Sequence, residues 1–266
     1  MTAPSPKRPR THPAYTLLYH PSVPGRGEYI RLAFEASGVS YSDPAKEGTD
    51  GYDEVLAVCD PSSTGDEDGN PPVFAPPALR VPGAGKDGKA LVIHQTPNIL
   101  LYLGPRLGLA GADEAEGFWV NQLALTALDV NNEAHDTHHP VAVGDYYEAQ
   151  KEESLRKAKD FRENRLPKFF SYFERVLKHN ESAGEGKYMV GDKLTYADLT
   201  FWQVVDGLHF AFPNEMMARA SEFPFIFENF YPAIKEEKGI KAYLGSDRRL
   251  EYSMGLYRHY PELDRQ

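Results

Sequence analysis

Residues 15–41 read YTLLYHPSVPGRGEYIRLAFEASGVSY. The stretch opens on a short apolar and aromatic run, Tyr15 to Tyr19, between Pro13 and Pro21, and its length and flanks predict a buried strand. A loop dense in Pro and Gly follows, from His20 to Arg26. From Glu28 to Ser37, the residues Ile30, Ala33, Phe34 and Ser37 recur at helical spacing on one face, and Gly38 stands where a left-handed C-cap ends a helix. Val39 to Tyr41 then reads as a second strand. The segment therefore predicts a compact βαβ unit with a parallel strand pair.

Working outward, residues 44–72 are acidic, polar and Gly-rich, which predicts an irregular surface insertion. Ordered chain resumes at Phe74 to Val81, and a Gly-rich turn separates it from Ala90 to His94. Two short apolar runs around such a turn predict an antiparallel hairpin. Gln95-Thr96-Pro97 then opens a helix running to Leu103, with Thr96 as N-cap and Pro97 at the first helical position. Beyond about residue 110 strand signals stop, and helical periodicities cover 112–133, 146–177 and 195–212. An α/β half followed by an all-α half predicts two domains, 14–106 and 112–266, after a disordered leader at 1–13.

Bulk features exclude several function classes. The 266 residues carry a formal net charge of −10, which repels phosphate backbones and argues against a nucleic-acid partner. The Lys7-Arg-Pro-Arg10 cluster is too short and Pro-rich to read strongly as a nuclear signal. No apolar run approaches the roughly 18 residues that cross a bilayer. The basic N-terminus lacks the apolar segment of a secretory signal, so a cytoplasmic location without membrane contact is expected. A single cysteine, Cys59, excludes an intramolecular disulfide and any CxxC redox pair.

Three blocks in this order make the chain resemble the cytosolic glutathione transferases, closest to the tyrosine-type classes (alpha, mu, pi, sigma) and to fungal relatives. The first is the strand ending in Tyr19 with Gly25-Arg26-Gly27-Glu28 and a helix closed by Ala36-Ser-Gly-Val39. The second is Pro77-Ala78-Leu79, the hairpin, and Gln95-Thr96 opening a helix that ends in Leu101-Tyr-Leu103. The third is Gly186-Lys-Tyr-Met-Val-Gly-Asp-Lys-Leu-Thr195-Tyr-Ala-Asp198, in which Thr195 and Asp198 form a capping-box variant that starts a buried helix. The resemblance implies a thioredoxin-like N-terminal domain, an all-helical C-terminal domain, a homodimer, and glutathione as co-substrate in conjugation of hydrophobic electrophiles or peroxide reduction, as in detoxification. A non-catalytic carrier or regulator of the same fold is the alternative, because a fold alone does not fix function.

The resemblance also assigns roles. Tyr19 would donate a hydrogen bond to the glutathione sulfur, with Arg26 adding positive charge; a salt bridge from Arg26 to Glu28 or to a partner subunit is the competing reading. The Gly-Arg pair begins about one residue later after the tyrosine than in the family pattern, which leaves the hydroxyl of Ser22 as the second candidate donor. Pro77 resembles the cis-proline of the thioredoxin-like fold, so Pro76, Pro77 and Ala78 would face the tripeptide. Pro76 has no N–H to give, so either that hydrogen bond is missing or the cis bond precedes Pro76 and Ala75 supplies the contact. Gln95 and Thr96, at a helix N-terminus, would take the γ-glutamyl carboxylate. Asp129 would reach the glutathione amino group from the partner subunit. His135, His138 and His139 sit beside Pro140 at a helix end; two imidazoles at i and i+3 could begin a zinc site, but no second ligand pair follows, and no metal is expected. The aromatic run Tyr252 to Tyr260 would fold over the site.

Overall fold

The computed structural model describes residues 12, 14–180 and 187–266. The expected leader (His12 apart) and Gly186 of the third motif lie outside the described residues. Strand β1, Tyr15–Leu18, leads through the Gly25–Gly27 turn into α1, Glu28–Ser37, which Gly38 closes at φ 68°. Strand β2 is Tyr41–Ser42, β3 is Ala78–Val81, β4 is Leu91–His94, and α3 is Thr96–Leu107. The sheet order is β2-β1-β3-β4, with β1 parallel to β2 and antiparallel to β3. This is the mixed sheet of the thioredoxin-like fold.

Residues 44–72 depart from the irregular insertion expected of them. After a 3-10 turn at Pro44–Lys46 they form helix α2, Thr49–Val58, before turning irregular. The reason is tertiary. Ala45 and Val55 bury against Leu18, Ala78 and Val92, on the face of the sheet opposite Leu17, Ile30, Phe34 and Leu79. Successive residues of a strand point to opposite faces, so a β1 of consecutive leucines needs cover on both. The rest of the segment is anchored by Asn70, whose amide oxygen accepts from Val92 N at 2.9 Å and whose amide nitrogen donates to Ala90 O at 3.0 Å.

The second half is helical: α4 Glu114–Asp136, α5 Lys151–Asp160 continuing through a π-helical turn into α6 Leu166–His179, and α7 Tyr196–Ala211. Short helices α8 Pro213–Arg219, α9 Tyr231–Lys235 and α10 Lys238–Leu244 finish the domain. The Thr195 hydroxyl and Asp198 carboxylate form the expected capping box at the start of α7. The C-terminal aromatic run gives no residue to the lining of the cavity at the end of the sheet, although Leu256 O reaches His138 at 3.0 Å. Tyr257 packs into the core, where a Cβ on Gly207 would lie 2.4 Å from its ring, and its hydroxyl meets that of Tyr29 at 3.1 Å.

One buried ionic cluster ties the halves together. Glu28 is fully buried, pairs with Arg31 at 3.2 Å and with Arg249, and accepts from the Tyr243 hydroxyl at 2.8 Å. Arg31 also donates to Asp43 at 2.7 Å, and Arg249 to Asp206 at 3.0 Å. The two arginines hold the Glu28 carboxyl below the usual range despite the opposing cost of burial.

Candidate active site

The strand register decides which residues can meet. Leu18 pairs with Ala78, and Ala78 with His94. The residues just beyond that row are Tyr19 after β1, Pro77 before β3 and Gln95 after β4, so three separated segments converge on one edge of the sheet. There a cavity of about 410 Å³ is lined by Arg26, Phe74, Ala75, Pro76, Pro77, Gln95 and Thr96, with Asn132, His135, Asp136 and Val143 facing them from the helical half.

Tyr19 is 5% exposed, and its hydroxyl accepts the Arg26 backbone N–H at 2.7 Å. The glycines of Gly25-Arg-Gly27 make this possible. A Cβ on Gly25, at φ 49°, would lie 2.1 Å from the Tyr19 hydroxyl oxygen, and one on Gly27 would lie 2.7 Å from the ring. The loop thus wraps the phenol at a distance no side chain permits. Burial pushes the Tyr19 pKa up, partly offset by the Arg26 N–H and the charges of Arg26 and Arg31. The phenol stays protonated at neutral pH, with its own hydrogen unspent by the bond it accepts.

Arg26 organises this corner. Its N–H serves Tyr19, its carbonyl accepts from the Thr96 hydroxyl at 3.1 Å, and its guanidinium donates to Asn132 Oδ1 at 2.9 Å across the domain boundary. The alternative of an Arg26–Glu28 salt bridge is excluded by Glu28 turning inward to Arg31 and Arg249.

The cis bond lies between Pro76 and Pro77, as the resemblance implied for Pro77. Pro76 is therefore the residue before the cis-proline, with a carbonyl to offer and no N–H. Thr96 is the first residue of α3 and Gln95 its N-cap, one position earlier than expected. No side chain caps this helix, because the Thr96 hydroxyl has turned to Arg26. Gln95 holds φ 71°, ψ 117°, a conformation costing a non-glycine residue on the order of 1–3 kcal/mol, and such strain gathers at ligand clamps. The start of α3 keeps its first N–H groups and the positive end of its dipole for an anion.

Ser22 is exposed and, like Tyr19, lies outside the cavity lining; Ala78 is buried within β3, and Asp129 is exposed on α4. Sequence reasoning missed Asn132, whose spacing, three before His135 and four before Asp136, already put all three on one helix face. The three histidines named at the helix end come together, with ring centroids 4.8 to 4.9 Å apart, and His135 lines the cavity. Burial, then neighbouring positive charge, lowers His135 to about 4; burial lowers His138 to about 3.

Residues 135–247 match the model of the family described as glutathione S-transferase, C-terminal domain. The chain is 30% identical over 195 residues to a Xenopus laevis protein named glutathione S-transferase P 1, covering 73% of this chain and 76% of that one. A Plasmodium falciparum glutathione S-transferase is 25% identical over 204 residues, 75% of this chain and 83% of its own. Among solved structures, a Fasciola hepatica sigma class GST superposes with a TM-score of 0.64 at 20% identity, covering 90% of this chain and 98% of that one, and so shares the fold. With the sheet, the capping box and the convergent sheet edge already in place, these likenesses show that the chain belongs to the glutathione S-transferase family.

Proposed function

We propose that the protein is a glutathione transferase in which Tyr19 donates a hydrogen bond to the thiolate sulfur of glutathione bound between Arg26, Pro77, Gln95 and Thr96. The observation that carries this reading is the 2.7 Å bond from Arg26 N to the Tyr19 hydroxyl, which fixes the phenol beside the cavity and leaves its hydrogen to give. A free thiol has a pKa near 8.5, so only a few per cent is thiolate at pH 7, and each unit of lowering corresponds to about 1.36 kcal/mol of preference for the reactive anion. A neutral donor and the Arg26 guanidinium both supply that preference. The strained start of α3 takes the γ-glutamyl carboxylate, and the Pro76 carbonyl accepts from the cysteinyl N–H.

The electrophile enters from the helical side, past Asn132, His135 and Val143, and its conjugation serves detoxification in the cytoplasm. Among the described residues no helix is long and apolar enough to cross a membrane. A homodimer is supported by α4, where Phe118, Gln122, Leu125 and Asp129 form one exposed stripe at helical spacing. A partner covering it brings Asp129 to an interface, the position from which it would serve the neighbouring glutathione.

Conjugation of an aryl halide by wild type, Tyr19→Phe and Ser22→Ala, together with ultraviolet titration of the bound thiol, tests the assignment. A loss confined to Ser22→Ala moves the donor to that loop hydroxyl. Glutathione binding with no turnover by the wild type makes the protein a carrier.

A further inference from the structure

We propose that His135, His138 and His139 form a binding site for one divalent late first-row transition ion, of the zinc type, where α4 ends against the cavity. One ligand atom from each imidazole lies within 4.8 Å of the others. A tetrahedral ion with Zn–N bonds of about 2.0–2.1 Å needs roughly 3.3 Å between ligand nitrogens, so about 1.5 Å of closure, shared among three side chains, completes the set.

The hydrogen bonds around the cluster favour the ligating form. His138 Nε2 lies 3.0 Å from Leu256 O, and His139 Nδ1 lies 2.9 Å from Asp145 O. A carbonyl only accepts, so each of these nitrogens carries the proton, and the opposite nitrogen of each ring holds a lone pair. Metal-bound histidines are fixed in the same way, by an N–H given to a carbonyl or carboxylate behind them. The second, independent observation is an orphan: His138 Nδ1 is buried with no hydrogen-bond partner, in a residue 1% exposed. A buried acceptor left unpaired is costly, and a metal ion would remove that cost.

Charge sets the class of ion. Three neutral imidazoles suit zinc, copper or nickel over the oxygen-seeking calcium and magnesium. Asp136, with Oδ1 3.8 Å from His135 Nδ1, is the nearest compensating carboxylate, whereas Arg26 and Arg258 act on His135 with the opposite sign. The affinity is therefore expected to fall short of that of structural zinc fingers. Because His135 lines the cavity, an ion here stands on the electrophile's side of the site, apart from Tyr19 and the start of α3.

The test is calorimetric titration of chelator-stripped, full-length protein with Zn²⁺ alone, no glutathione present. One equivalent should bind, and His135→Ala and His139→Ala should each weaken binding by at least about tenfold, since even partners behind the ligands cost that much. The control His179→Ala should bind as wild type. Imidazole ¹⁵N spectra of the wild type give a readout independent of the variants' folding: Zn²⁺ should shift three of the nine histidines. No Zn²⁺ binding, unchanged affinity in both variants, an equal loss in His179→Ala, or a thiolate charge-transfer band from Cys59 in the Co²⁺-loaded protein would each overturn the site.

Discussion

The two walls of the cavity are built by different means. The α/β wall, with Arg26, Pro77, Gln95 and Thr96, is a product of backbone geometry: strand register, two glycines and a strained helix start. The helical wall, with Asn132, His135 and Asp136, is a product of side chains projecting from the last turn of one helix. Backbone geometry suits an invariant partner such as a tripeptide. Exchangeable side chains suit the partner that varies. Under the proposed function, the chemistry of sulfur would belong to the first wall and selectivity to the second.

The largest effect should come from the tie that holds the walls together. Glu28→Ala leaves Arg31 and Arg249 buried without their shared carboxylate, and should cost about 3–5 kcal/mol in denaturant unfolding. The same pair predicts the acid limit. Because the folded Glu28 titrates below its ordinary 4.5, its contribution is complete above that pH and is lost as the pH falls below it, so unfolding midpoints should drop as the pH is lowered below 4.5. A midpoint flat across that window would mean that the cluster does not couple the halves.

Next is Tyr19→Phe on the α/β wall, which should lower kcat/KM by about 100-fold, or about 2.7 kcal/mol, with glutathione affinity nearly retained. Gly25→Ala attacks the same phenol by crowding. It should cost about 1–3 kcal/mol of stability and lower kcat towards the Tyr19→Phe value. A fully active Gly25→Ala would show that the wrapped loop is not what positions the tyrosine. The smallest effect belongs to the helical wall: Asn132→Ala releases the Arg26 guanidinium and should cost about 0.5–1.5 kcal/mol, read as a roughly two- to tenfold rise in KM for glutathione. If Asn132→Ala instead matched Tyr19→Phe, the division of labour between the walls would be wrong.

How legible each wall was in the sequence follows from the same contrast. β1, α1, the hairpin and the start of α3 announce themselves through local apolar runs, Gly38 and the Thr-Pro pair, because local signals and tertiary packing agree there. Helix α2 was hidden: it carries Gly51 and three acidic residues, and only contact of Val55 with the underside of the sheet makes it worthwhile. Arg26 was visible as a residue but not as a hub, since its three partners lie 7, 70 and 106 positions away.

The Asn70 clamp bears on how this molecule behaves in a crowd. β4 is a border of the sheet, and an open border invites another chain to add a strand. Asn70 occupies two of the vacant rungs with a single amide, and it brings Asp66, Glu67 and Asp68 alongside, Asp68 accepting from Ala90 N at 3.3 Å. The acidic segment works as a fender, standing where a stray strand would dock and repelling other copies of this negatively charged chain.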